Sequence, residues 1–188
     1  LPIYYYLSHF HEFLKFVSGP CELLLSSDDQ RFIDDFMGLT RSQQCLIVRF
    51  INRKSKFINP NGYVYDEIEN IQDNLYLLYS RGWFRSIETE AAAEFIQHLT
   101  KEEIIQLIDQ LNDAGFSGDS NITYKKSQTK IKLLENLSDT SSSKSIPKTA
   151  IGQNYWQSNF EIHISYFLYL YFGNFSATLN QFSMRDLG

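Results

Sequence analysis

Apolar residues at Leu7, Phe10, Leu14 and Val17 recur every three or four positions, the spacing of one buried stripe along an α-helix. The pattern predicts a helix over Tyr4 to Val17 that Gly19-Pro20 stops. Ser26-Ser27-Asp28-Asp29 offers a cap and favourable N-terminal acids for a second helix, whose apolar face is Phe32, Ile33 and Phe36 and whose end is Gly38. Thr40 is a good N-cap for a third, from Arg41 to about Lys54. There Leu46, Ile47, Phe50 and Ile51 share one stripe, and Arg49 and Arg53 lie four apart on another face. Phe57-Ile58 reads as a short strand before the turn Asn59-Pro60-Asn61-Gly62. Ile71, Leu75 and Leu78 mark a further helix closed by Arg81-Gly82, and Trp83 to Ile87 reads as a strand. Helix, short helix, helix, then strand is the order of a winged helix-turn-helix unit.

Thr100-Lys101-Glu102-Glu103 is a capping box, and the helix it opens carries Ile104, Ile105, Ile108 and Leu111 before running out at Asn112-Asp113-Ala114-Gly115. Lys126 to Leu137 predicts another helix, with Ile131, Leu134 and Leu137 inward and Lys130 and Lys132 outward. Two short helices around a polar hinge, the second one basic, have the layout of a SAP module. Ser138 to Ser145 reads as linker. Phe160 to Phe172 predicts a buried helix, Gly173-Asn174 a break, and Phe175 to Met184 a last helix. The expected fold is mainly α: a helical N-terminal part with a winged helix-turn-helix (1–98), a SAP-like helix-hinge-helix (99–138), a linker (139–154) and C-terminal helices (155–188).

The 188 residues carry a net charge of −5, which argues against coating nucleic acid with the whole surface. The distribution changes that picture. Residues 39–65 hold Arg41, Arg49, Arg53, Lys54 and Lys56 with no acid, whereas residues 66–118 hold eleven acids against three bases. A second basic island, Lys125, Lys126, Lys130, Lys132, Lys144 and Lys148, lies in residues 119–148. Basic islands in an acidic protein can hold phosphate locally while the surroundings repel the strand, which favours a defined path. Most charge runs are solvated helix faces, and that reading stands beside it.

Candidate chemistry is sparse. Cys21 and Cys45 give neither metal spacing nor a disulfide framework, and a reducing cytoplasm is the default compartment. His9 and His11 are two apart and fall on different sides of a helix. Asp28-Asp29 and Asp34-Asp35 read as solvated cap and surface charge. No run approaches the roughly 18 apolar residues that span a bilayer. An aromatic share of 15% reads as core-forming Tyr and Phe rather than a stacking surface. The chain opens at Leu1 and stops just after a helical pattern, and is read as part of a longer protein.

Five segments, taken in order, resemble one family. Tyr5-Tyr6-Leu7-Ser8-His9-Phe10, the run Leu46 to Lys54, Tyr65-Asp66-Glu67-Ile68, the run Leu99 to Ile104, and Tyr171-Phe172-Gly173-Asn174 with Arg185-Asp186-Leu187-Gly188 resemble the N-terminal region of bacterial Fanconi-associated nucleases. These are structure-specific DNA nucleases with a virus-type replication-repair nuclease domain. The resemblance implies a helical and winged-helix part, then a SAP domain that grips duplex DNA. A helical-repeat region and the nuclease domain, with its Mg²⁺ or Mn²⁺, are expected outside these residues, so this chain itself is expected to hold no cofactor. The implied partners are branched or flapped duplex DNA and those downstream domains, without a membrane, in a bacterial cytoplasm at the nucleoid. The sequence departs from the family pattern at Gly115 to Tyr124, a polar loop.

Under this reading Arg49, Arg53, Lys54 and Lys56 of the first island and Lys125, Lys126, Lys130 and Lys132 of the second are the candidate DNA contacts. They should meet phosphate rather than bases, because lysine-rich islands without interleaved Asn or Gln offer little base readout. The competing functions are a winged-helix transcription regulator and a protein-interaction scaffold. Against the regulator, the apparent recognition helix, about Asn70 to Ser80, carries Gln72 and Asn74 but no Arg or Lys, and Asp66, Glu67, Glu69 and Asp73 flank it.

Overall fold

Three helices begin by the same device. In the computed structural model the hydroxyls of Ser26, Thr40 and Thr100 each accept a bond from the backbone N–H three residues on. The side chains of Asp29, Gln43 and Glu103 reach back to the cap residue's own N–H. Each box satisfies two backbone donors that a helix end leaves open, which fixes where these helices start. The structure describes residues 2–115, 121–138 and 144–184. Arg185 to Gly188 of the family-like ending and most of the Ser/Thr-rich linker fall outside them.

Two compact units form, and neither is continuous in sequence. The first comprises residues 1–56, 61–83 and 159–188. It contains α1 (Tyr5–Ser18), α2 (Ser27–Met37), α3 (Arg41–Ile51), α4 (Ile71–Ser80), α9 (Glu161–Phe172) and α10 (Leu179–Met184). Phe10, Phe13, Phe36, Leu46, Ile47, Leu75, Leu78 and Phe167 are buried together with Phe182 from α10. Edge-to-face rings lock the core, with Phe10 on Phe36 at 4.9 Å and Phe13 on Phe182 at 5.3 Å. Buried Gln44 donates to the Phe36 carbonyl at 3.0 Å, so a core amide ties α3 to the end of α2.

The second unit comprises residues 57–60 and 84–158. It holds β1 (Phe57–Ile58), β2 (Phe84–Ser86), α5 (Ala92–His98), α6 (Lys101–Asp113), α7 (Lys130–Ser138), α8 (Ala150–Gln153) and β3 (Trp156–Ser158). β3 is the central strand, antiparallel to both others: Phe57 lies opposite Gln157, and Phe84 opposite Ser158. The strand at 84–86 is therefore not half of a local hairpin wing; its partner comes from about seventy residues downstream. Ile104, Leu107, Ile108 and Leu111 of α6 meet Leu133, Leu134 and Leu137 of α7 in one core with Phe95, Ile146 and Ile151.

The architecture is mainly helical, as the periodicity predicts. Several details differ. The 99 and 138 positions lie inside the second unit, and Ile146–Lys148 and α8, expected as linker, place Ile146 and Ile151 in its core. α7 starts at Lys130 rather than Lys126, and Ile131 is 71% exposed while Leu133 is fully buried. The reason is helical phase. Ile131 and Leu137 are six residues apart, about 600° of turn, which leaves them roughly 120° from a shared face. α10 begins at Leu179 rather than Phe175, and the structure adds α5, α8 and β3 to the elements that periodicity predicts.

One glycine is required by packing. A Cβ on Gly152 would lie 2.2 Å from the Ile146 carbonyl oxygen and 2.9 Å from the Pro147 Cα, both backbone atoms. We expect Gly152→Ala to destabilise the second unit by about 1–3 kcal/mol, the usual range for overpacking. Thermal unfolding checks this, and an unchanged midpoint would show that the α8 turn moves freely.

Candidate nucleic-acid interface

The first basic island is not a uniform face. Arg49, on the last turn of α3, donates through Nε to Glu67 Oε1 at 3.0 Å, and its terminal nitrogen also pairs with that oxygen. Tyr6 of α1 donates its hydroxyl to the same carboxylate at 2.8 Å. The Arg49 guanidinium lies over the Tyr6 and Tyr65 rings, 4.4 and 5.0 Å from their centroids. One cation thus joins α1, α3 and the segment entering α4. Burial opposes ionisation of both partners, but the bonds between them prevail: Glu67 is held below the usual carboxylate range and Arg49 above its usual value. Burial, with Cys45 and Glu67 alongside, pushes the Tyr6 hydroxyl well up.

Arg53 and Lys54 are different. α3 ends at Ile51 with Asn52 as its C-cap, so Arg53 does not sit four along the same helix from Arg49. Both Arg53 and Lys54 are exposed, and Lys56 is half-buried. The Arg53 guanidinium rests 4.3 Å from the Tyr63 centroid and donates to the Tyr65 hydroxyl at 3.0 Å. That bond engages one of five N–H donors on a planar fork, a group suited to phosphate oxygens.

The second island sits on the loop into α7. Asn112 clamps this loop, donating to the Ile122 carbonyl at 3.0 Å and accepting from its N–H at 2.8 Å. Asn136 donates to the Thr123 carbonyl, and Tyr124 donates to Asp109. Lys125 and Lys126 stand exposed beyond the clamp. Lys130 Nζ bonds the Gln97 carbonyl at 2.8 Å, and Lys132 pairs with Glu135 at 3.2 Å on the open surface. Such exposed pairs contribute little and exchange partners readily.

Among the described residues, no group of three or more His, Cys, Asp or Glu is placed to hold a metal ion. Asp29, expected as a solvated cap, is instead buried: it accepts from the Ser26 hydroxyl at 2.6 Å and pairs with His163 Nδ1 at 2.8 Å. No local pattern signals a partner 134 positions away. No described helix is long and apolar enough to cross a membrane.

α1 is thus clamped onto α3 in a helix-turn-helix unit that leaves Arg53 and Lys54 exposed just beyond α3. Residues 4–85 match the family described as FAN1, HTH domain. Over 118 residues the chain is 29% identical to the Fanconi-associated nuclease 1 homolog of Pseudomonas aeruginosa, covering 62% of this chain and 21% of that protein. Its whole length matches the crystal structure of paFAN1 bound to DNA with a 2-nucleotide 5′ flap and a gap, at a TM-score of 0.74 and 23% identity, covering 33% of that chain. The complex with a 1-nucleotide flap gives a TM-score of 0.73 at 24% identity. The chain spans about a fifth of the curated relative and a third of the solved one.

The Arg49–Glu67 pair yields a prediction. Arg49→Ala should cost roughly 1–3 kcal/mol, since it leaves a partly buried carboxylate unpaired. Arg53→Ala should change stability by less than about 1 kcal/mol. Because the folded state holds Glu67 below its ordinary value of 4.5, its contribution is present above that pH and lost as pH falls through the lower, folded value. Glu67→Gln should therefore flatten part of the acid limb of stability measured by chemical denaturation. An acid limb identical to that of the unaltered chain would refute the assignment.

Proposed function

We propose that this chain is the non-catalytic DNA-binding region of a structure-specific DNA repair nuclease. It holds a flapped or branched duplex for phosphodiester hydrolysis carried out by a nuclease domain outside these residues. The observation that carries the reading is the fold likeness over the whole chain to paFAN1, a protein solved on 5′-flap DNA, together with the FAN1 helix-turn-helix match. Arg53, Lys54, Lys125 and Lys126 are the principal phosphate contacts, because all four side chains stand exposed on the two basic strips. Lys56, Lys130 and Lys132 add to the field of the two islands. Arg49 supports the interface from behind by fixing α3 against α1.

The α6–loop–α7 segment is the SAP-like grip, its lysines following a duplex backbone. Mg²⁺ or Mn²⁺ belongs to the hydrolytic site elsewhere in the longer protein, whose remaining domains are this chain's other partners. Its place is the bacterial cytoplasm, at the nucleoid. The helix-turn-helix acts mainly as a bracket rather than a sequence reader. α4, where a recognition helix would be, presents Asp73 and exposed Tyr76 and Leu77 but no Arg or Lys.

Binding of a labelled 5′-flap duplex, followed by fluorescence anisotropy across a salt series, tests the proposal. Affinity should fall with salt and vary little with base sequence. Replacing Lys126, Lys130 and Lys132 with alanine together should reduce the log–log salt slope by about 0.9 for each phosphate no longer neutralised, with folding intact. An unchanged affinity and slope would make this segment a structural bracket. Sequence-selective binding that survives the charge removals would defeat the phosphate reading. The chain alone should leave the flap uncut with Mg²⁺ or Mn²⁺, and cleavage abolished by changing one of its own acids would overturn the non-catalytic assignment.

A further inference from the structure

The three helices that open on a capping box differ in the charge of their first turns. α2 places Asp28 and Asp29 there and α6 places Glu102 and Glu103, acids that the positive end of a helix dipole favours. Lys101 opens α6, but the two acids follow it at once. The first turn of α3 holds no acid and begins with Arg41, a cation at the end of the helix that repels one. Helix stability does not explain that placement. Neither does an ion pair: Arg41 is exposed, and among the described residues no carboxylate lies within pairing distance of it.

Arg41 is nonetheless held. Its guanidinium lies over the Tyr4 ring, 5.4 Å from the centroid, and the Tyr4 hydroxyl donates to the Glu67 carbonyl at 3.2 Å. Glu67 also receives Arg49, which lies over Tyr65, and the Tyr65 hydroxyl accepts from Arg53. A continuous chain of contacts thus joins Arg41 at the head of α3 to Arg53 beyond its tail. The middle of that chain is neutralised and its ends are not. Glu67 balances Arg49, whereas neither Arg41 nor Arg53 has a carboxylate partner among the described residues.

We infer that Arg41 is a further phosphate contact of the first basic strip, so that the strip runs the length of α3. The inference rests on the DNA-binding role proposed above for Arg53 and Lys54. Contact with Tyr4 uses a face of the guanidinium and leaves its N–H edge, the part that bonds two phosphate oxygens at once. From Arg41 to Ile51 a helix rises about 15 Å. One strand of duplex advances about 3.4 Å of axis per phosphate, so Arg41 meets a different phosphate from the one at Arg53.

Anisotropy of a labelled 5′-flap duplex with the whole 188-residue chain, followed across a salt series, tests this. Arg41→Ala should lower the log–log salt slope by about 0.9, one phosphate contact, with the thermal midpoint unchanged. Arg41→Lys should restore the slope, because an ammonium also binds phosphate as a point charge. Arg31→Ala removes the same charge from an exposed arginine paired with Asp28 and should leave the slope as it is. Single neutral methylphosphonates placed along each strand locate the contact. The position to which Arg41→Ala becomes insensitive should differ from the one silenced by Arg53→Ala. An unchanged slope in Arg41→Ala beside a lowered one in Arg53→Ala would overturn the inference and leave the DNA-binding role standing. Unchanged slopes in both would overturn that role as well. Equal losses in Arg41→Ala and Arg31→Ala, or one methylphosphonate position shared by Arg41 and Arg53, would also overturn the inference, leaving Arg41 as diffuse charge.

Discussion

The Arg49–Glu67 pair is the constraint on which the helix-turn-helix unit depends. It gathers three elements that the chain brings together from separate places: Tyr6 on α1, Arg49 near the end of α3, and Glu67 before α4. Each charge is partly removed from water and would be costly alone, so the pair holds the elements together as much as it attracts. With Arg49 held inward, α3 can end at Ile51 and turn Arg53 and Lys54 outward on the next few residues. A structural cation and exposed ones therefore follow one another within six positions.

The same economy of charge runs through the molecule. Acids are placed where they stabilise local structure: Asp29 and Glu103 complete capping boxes, and both are held below the usual carboxylate range. In each, burial opposes ionisation, but bonds from Ser26 and His163, or from Tyr155 and Thr100, outweigh it. The exposed bases proposed to meet DNA fall on two short strips, one in each compact unit, so a net-negative protein keeps two local clusters of positive charge.

Much of this is legible in the sequence because the signals are local. Thr40 and Thr100 cap the helices they are expected to open, and the apolar stripes of α1, α3 and α6 turn inward as their periodicity predicts, with Ile51 and Ile105 only half-buried. The resemblance to the Fanconi-associated nucleases, carried by short motifs in order, agrees with the FAN1 match at 4–85. What stays hidden is non-local. β3 is three residues, Trp156-Gln157-Ser158, too short for alternation to show, and buried only because two distant strands flank it. Ile131 faces out because it lies six residues, roughly 120° of helix turn, from Leu137, so the buried stripe runs through Leu133, Leu134 and Leu137 instead. The roles of Arg49 and Asp29 depend on partners 18 and 134 positions away.

The most direct measurement of the central claim is lysine-acetylation footprinting by mass spectrometry, with and without a 5′-flap duplex. Lys54, Lys125 and Lys126 should be protected, with Lys15 as reactive in the complex as in the free chain. Protection spread evenly over all lysines, or confined to positions outside the two basic strips, would contradict it.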